Sequence, residues 1–139
     1  MKTTFFSIAL VAFLSACDSK EPISPQPSND VTVAYQKSVR LAGTALDMKV
    51  AEVLDSRCPI NARCITAGSV RVNFEANNEG KTETVQVDLP AYPDKFTQKT
   101  FSVGGQSYQL TLREVLPYPE AGRPIRLEDY TVEFSVVKL

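Results

Sequence analysis

From Val31 to Leu139, apolar and polar residues alternate with a period of two in nearly every segment that contains apolar residues. This period puts successive side chains on opposite faces of an extended chain and is typical of half-buried β-strands. Strands with one apolar face each need a second sheet to cover them. We therefore predict an all-β domain: a single antiparallel β-sandwich, or a flattened barrel, of about seven to eight strands.

Turn signals separate the alternating segments. Asn77 to Gly80 and the pair Gly104-Gly105 each lie between two such segments, which predicts a β-hairpin at both places. Longer, proline-rich connections at Pro90 to Thr100 and Pro117 to Asp129 are expected at the ends of the sheets. The predicted inward-facing residues are Val31, Val33, Tyr35, Val39, Leu41, Leu46, Met48, Val50, Val70, Val72, Phe74, Val85, Val87, Leu89, Phe101, Val103, Tyr108, Leu110, Leu112, Tyr130, Val132, Phe134 and Val136.

The domain also contains a weak internal similarity, at the shift of sixty-two residues that separates Gly43 from Gly105. This similarity predicts two related halves, each a hairpin, a bridging loop and a strand. The alternative is chance, because any even shift aligns alternating strands about half of the time. The other identical residues are Glu52-Val53-Leu54 with Glu114-Val115-Leu116, and Val70 with Val132; the same shift aligns Leu46, Met48 and Val50 with Tyr108, Leu110 and Leu112, and Val72 and Phe74 with Phe134 and Val136.

The first sixteen residues have the parts of an export signal. Lys2 supplies the positive start, and Phe5 to Leu14 forms an apolar stretch that is too short to cross a bilayer, which takes roughly 20 residues. Leu14-Ser15-Ala16-Cys17 then matches the lipobox of bacterial lipoproteins. Residues 1–16 are therefore predicted to be a signal peptide, and Cys17 is predicted to be acylated. The alternative is an ordinary secretory signal that leaves Cys17 as a free thiol.

Residues 17–30 are predicted to tether the anchor to the domain formed by residues 31–139. Asp18 to Asp30 contains three prolines, and Ile23 is its only large apolar residue, so it cannot bury enough apolar surface to offset the entropy of ordering. Proline makes such a segment a semi-extended spacer. We expect a monomer in the bacterial cell envelope, on the periplasmic side or the cell surface, attached to a membrane through its lipid.

Charge and composition exclude several functions. Fifteen Lys and Arg against sixteen Asp and Glu give a net charge of −1, and without a basic cluster this excludes nucleic acid as a partner. The chain has no histidine, the commonest general base and zinc ligand, so Ser-His-Asp, Cys-His and the usual metalloprotease sites are excluded. We expect no catalytic residue, metal or cofactor. Pairs such as Glu52 with Asp55, or Glu114 with Glu120, leave a carboxylate-based hydrolase as a less favoured alternative.

Cys58 and Cys64 remain as an even pair once Cys17 is assigned to the lipid. In an oxidising compartment such a pair predicts a structural disulfide that closes a rigid loop. A redox pair normally has two residues between its cysteines, and a metal site would need further ligands that are missing here.

The residues around this disulfide loop are the candidate site. In a structural interpretation, Asp55 closes a turn and Arg57 pairs with it, so both only hold the loop in shape. In a functional interpretation, the rigid loop presents Arg57, Asn61 and Arg63 to a ligand. The favoured function is a non-enzymatic binding or structural module for another envelope protein or a glycan. The alternative is an inhibitor or ligand-capture domain that uses the loop as its reactive edge.

The loop also carries a resemblance. Asp55-Ser56-Arg57-Cys58-Pro59, followed by Cys64 and Ala67-Gly68, is similar to a pattern in a family of uncharacterised bacterial secreted proteins and lipoproteins. The resemblance extends over most of Val39 to Val137 and includes the Asp129-Tyr130 entry into the last strand. This chain departs from the family at Thr66, where tryptophan is common. The resemblance implies a secreted all-β module and no particular activity.

Overall fold

The computed structural model describes residues 30–91 and 96–139. The predicted signal peptide, Cys17 and the tether before Asp30 lie outside the described residues. Within the described part of the chain, no helix is long and apolar enough to cross a membrane. Its elements are the strands β1 (Val31–Ala34), β2 (Ser38–Arg40), β3 (Leu46–Asp55), β4 (Ser69–Asn78), β5 (Lys81–Pro90), β6 (Thr97–Val103), β7 (Gln106–Leu116) and β8 (Thr131–Lys138), and a 3₁₀ helix (Leu127–Asp129).

The strands form two four-stranded antiparallel sheets, in the orders β2-β3-β4-β5 and β1-β8-β7-β6. Their apolar faces form one hydrophobic core, so the predicted β-sandwich is confirmed, and the sheets do not close into a barrel. All the predicted inward-facing residues are buried except Val31, Tyr35 and Val39, which are partly buried and pack against the core.

Both predicted hairpins are present, but one turn is shorter than expected. Glu79 and Gly80 form the β4–β5 turn with φ angles of 50° and 82°, whereas Asn77 and Asn78 belong to β4. Asn78 is held at the strand end because its buried side-chain amide donates to the carbonyl of Val103, 3.3 Å away. Gly104-Gly105 forms the other turn, and both residues have positive φ.

The two sheets have matching connectivity. β2, β3 and β4 are successive neighbours in one sheet, as β6, β7 and β8 are in the other, and the fourth position is filled by β5 in one case and β1 in the other. β3 has a bulge between Val50 and Glu52, and β7 has one between Leu112 and Glu114. The shift of sixty-two residues relates these two bulges to each other.

The predicted equivalence of Val70 and Val132, in the strands that follow the two bridging loops, is wrong. Val53 lies opposite Val72, and Val115 lies opposite Val132. Val132 is therefore equivalent to Val72 rather than to Val70, because Val115 and Val132 are 17 residues apart in the sequence, whereas Val53 and Val72 are 19 apart. The two halves share their strand order and their bulges, but not one constant shift.

The strand directions define two ends of the sandwich. β3 and β7 run into the bridging loops of residues 56–68 and 117–130, which contact each other and form what we call the loop end. The β2–β3, β4–β5 and β6–β7 turns lie at the opposite end, the hairpin end. Val31 pairs with Phe134 and Ala34 with Thr131, so β1 runs toward the loop end. The chain before β1 thus joins the domain from the side of the hairpin end.

Candidate functional site

The predicted disulfide between Cys58 and Cys64 is confirmed. The two Cα atoms are 5.9 Å apart, and the bridge lies in the first bridging loop, between β3 and β4. Cys64 and the four residues between it and Pro59 are exposed, whereas Cys58 and Pro59, where the chain enters the loop, are half-buried. The disulfide thus closes a short loop that projects from the loop end.

A buried ion pair lies at the base of this loop. Arg57 is only 4% exposed, and its Nη2 and Nε donate to the two carboxylate oxygens of Asp55 over 2.6 Å and 2.9 Å. The backbone N–H of Arg57 and the hydroxyl of Tyr130 also donate to this carboxylate. The pairing in the structural interpretation is therefore present, and Arg57 is not available on the surface of the loop.

The same guanidinium reaches the second bridging loop. Its Nη1 donates to the carbonyl of Val115 over 2.8 Å, and its Nη2 donates to that of Pro117 over 3.0 Å. The guanidinium carbon lies 4.1 Å from the ring centroid of Tyr118, in cation–π geometry. Arg57 therefore fixes the start of both bridging loops.

The tips of the two loops are also joined. The side-chain amide of Asn61 accepts from the N–H of Ala121 over 2.6 Å and donates to its carbonyl over 3.3 Å. The N–H of Ile60 donates to the carbonyl of Pro119 over 2.9 Å. Arg63, by contrast, is exposed and has no ion-pair partner among the described residues. Of the four candidate residues, Asp55, Arg57 and Asn61 hold the loops together and Arg63 points to solvent.

Gly68 closes the first loop at a close backbone contact. It has a φ of +74°, and a Cβ atom there would overlap the carbonyl oxygen of Ser56 and lie 3.1 Å from the Cα of Arg57. Any side chain at this position would push apart the segments that carry the ion pair. This explains the glycine of the Ala67-Gly68 pair.

The hydroxyl of Tyr130 is affected by the buried carboxylate. Burial, followed by the negative charge of Asp55, raises the pKa of Tyr130 to about 12. Because an unperturbed tyrosine has a pKa of about 10, the unfolded chain loses this proton first as the pH rises. The contribution to stability is therefore complete below about pH 10 and is lost between about pH 10 and 12.

We expect the free energy of unfolding to fall over this alkaline range, and Tyr130→Phe to remove part of that fall. Urea unfolding at stepped pH values measures the effect. Tyr35→Phe, a change outside the Asp55 network, serves as the control for loss of a tyrosine hydroxyl. If the free energy of unfolding of Tyr130→Phe fell with pH as steeply as that of the unmodified protein, Tyr130 would not be the group responsible for the alkaline loss of stability.

Three of the four carboxylates considered for a hydrolase have other partners. Glu52 lies on the outer face of β3 and accepts a hydrogen bond of 2.6 Å from the side-chain amide of Asn73, whereas Asp55 is buried against Arg57. Glu120 pairs with Arg123. Glu52 and Asp55 therefore do not share an environment in which one carboxyl group could act as an acid and the other as a base.

The exposed surface of the loop end is partly apolar. Ile60 is 66% exposed, and Ile65 is fully exposed. Sequence reasoning did not identify Tyr118, whose ring faces Arg57, or the two backbone carbonyls that Arg57 binds. Tyr130 is predicted to face inward, but its hydrogen bond to Asp55 is not indicated by the sequence. Backbone acceptors leave no trace in a residue pattern, so only the fold reveals them.

No protein-family model, no curated protein and no solved structure matches this chain. Among residues 30–91 and 96–139, no group of three or more His, Cys, Asp or Glu side chains could hold a metal ion.

Proposed function

We propose that the protein is a lipid-anchored, non-enzymatic module of the bacterial cell envelope that binds another envelope protein through its loop end. The observation that carries this proposal is the fixation of both bridging loops by Arg57, together with the contacts between Asn61 and Ala121. Loops that are already ordered lose less conformational entropy on binding. Aliphatic side chains exposed on such a surface, such as those of Ile60 and Ile65, fit the apolar centre of a protein interface.

The direction of the chain supports this arrangement. β1 enters from the side of the hairpin end, so a tether before Asp30 connects to the part of the domain away from the bridging loops. The loop end is thus the part of the domain farthest from the attachment point, where a second envelope protein can reach it.

The anchor is tested by Cys17→Ser in the full chain. Without acylation, the protein is expected to move from the membrane fraction to the soluble fraction, because stable anchoring needs more than one buried acyl chain or an equivalent signal. Membrane fractionation with immunodetection measures this. The double variant Cys58→Ser/Cys64→Ser is the control, since it removes two cysteines but leaves the lipobox intact. A Cys17→Ser protein that still sediments with membranes would refute the anchor.

Binding at the loop end is tested by site-specific photocrosslinking of the full chain in its host. A photoreactive residue at Ile65 or Arg63 is expected to give an adduct of one defined mass. Gln86, which is exposed on the outer face of β5, is the control position and should give none. Equal adducts from Gln86, or none from the loop positions in correctly anchored protein, would argue against a loop-end interface.

A further inference from the structure

An apolar groove opens at the hairpin end beside the start of β1. It has a volume of about 360 Å³, and its lining includes Val31, Leu41, Ala42, Thr44, Val136 and Lys138. An apolar cavity of about 150 Å³ is sufficient to bind benzene, and ligand pockets begin at about 300 Å³. The groove is therefore large enough to hold a segment of a hydrocarbon chain.

The groove lies beside the last part of β8. β1 pairs with β8 only from Thr131 to Phe134, so within the described residues the rest of β8 has no strand partner on this side. Leu41 and Val136, which line the groove, both belong to the core.

The rim of the groove has an uneven charge. The carboxylate of Asp30 is bound by Arg113, whose Nε lies 2.6 Å from Oδ1. Lys138 is exposed and has no ion-pair partner among the described residues. Next to it, Val137 and Leu139 are 52% and 62% exposed. Apolar side chains beside a cationic one are typical of surfaces that bind anionic membranes.

We propose that this groove receives one acyl chain of an anionic phospholipid from the membrane to which the protein is anchored, with Lys138 facing the phosphate. The inference rests on the anchoring in the proposed function. The thirteen residues from Cys17 to Asn29 reach at most about 45 Å, so the groove, on the side of the domain where the tether joins, can reach the bilayer surface.

The chemistry favours a lipid over a peptide. A peptide added as a strand along β8 would have to share that edge with the chain that enters at Asp30, whereas an acyl chain needs only the apolar walls. The acyl chain moves from one apolar environment, the bilayer, to another, the groove. The favourable free energy of binding therefore comes from the apolar groove walls, which are removed from water.

The test uses the full, acylated chain in phosphatidylglycerol vesicles that contain a trace of the same lipid with a diazirine on one acyl chain. After illumination, adducts are expected in the peptides that contain Leu41 to Thr44 and Val136 to Lys138. Ala42→Phe, which fills the groove, should lower these adducts about tenfold, as expected when roughly two buried methylene groups lose their contact. Ala45→Phe is the matched control, because Ala45 is in the same turn but does not line the groove.

A second variant tests the charge. Lys138→Glu should reduce labelling in phosphatidylglycerol vesicles but not in phosphatidylcholine vesicles. Flotation of the protein with the vesicles reports the anchor separately. Protein that floats but lacks groove adducts, or whose adducts are unchanged by Ala42→Phe, overturns the groove alone. Protein that does not float overturns the proposed anchoring and this inference with it.

Discussion

Replacing Arg57 with alanine is expected to lower the free energy of unfolding by about 3–5 kcal/mol, the usual cost of removing one partner of a buried ion pair. The change leaves the carboxylate of Asp55 buried without a counterion. It also removes the donors to the carbonyls of Val115 and Pro117, and a buried acceptor without a partner carries its own desolvation cost.

Urea unfolding of the full chain measures this loss, and the sequence offers a matched control. Arg71 pairs with Asp88 across two neighbouring strands, but both side chains are about half exposed. Arg71→Ala is therefore expected to change the free energy of unfolding only slightly. The loss for Arg57→Lys should lie between those of the two alanine variants. A lysine keeps the positive charge but lacks the planar guanidinium group that donates to a carboxylate and two carbonyls at once. Equal losses for Arg57→Ala and Arg71→Ala would show that the pair does not organise the loops.

The fold was predictable because its main determinant is local. The alternation that places Leu46, Met48 and Val50 on one face is visible in the chain itself, and it identifies the strands whatever their partners are. The disulfide was predictable for a similar reason, since assigning Cys17 to the lipid left two cysteines to pair. The pairing of strands that are distant in the sequence, such as β1 with β8, was not predictable, because the sequence does not state which of them become neighbours.

The candidate site was only partly predictable. A pairing of Arg57 with Asp55 could be expected from their spacing. The contacts of Arg57 with Val115, Pro117 and Tyr118 could not, because they join segments about sixty residues apart and two of the three acceptors are backbone carbonyls. The sequence pattern alone therefore does not decide whether Arg57 has a structural role or a recognition role. Its burial in the folded protein assigns it the structural one.

The matching halves of the sandwich also meet at one point in the core. Phe74 in β4 and Phe134 in β8 are equivalent by the same register that relates Val72 to Val132. Both phenylalanines are fully buried. Their ring centroids are 4.9 Å apart, and the rings are inclined at 64° to each other, the edge-to-face geometry that aromatic pairs favour. This pair therefore links the two sheets at equivalent positions.

Phe74→Ala and Phe134→Ala are each expected to lower the free energy of unfolding by about 3–5 kcal/mol, through lost transfer energy and the cavity left behind. Phe96→Ala, which removes an exposed ring, is the control and should have little effect. Because the two buried rings contact each other, the double variant should lose less than the sum of the single losses, by about 0.5–1.5 kcal/mol. Phe→Leu variants allow the same cycle where the alanine pair is too unstable to measure. Strict additivity would mean that the rings fill the core independently, and that equivalent positions in the two halves do not stabilise each other.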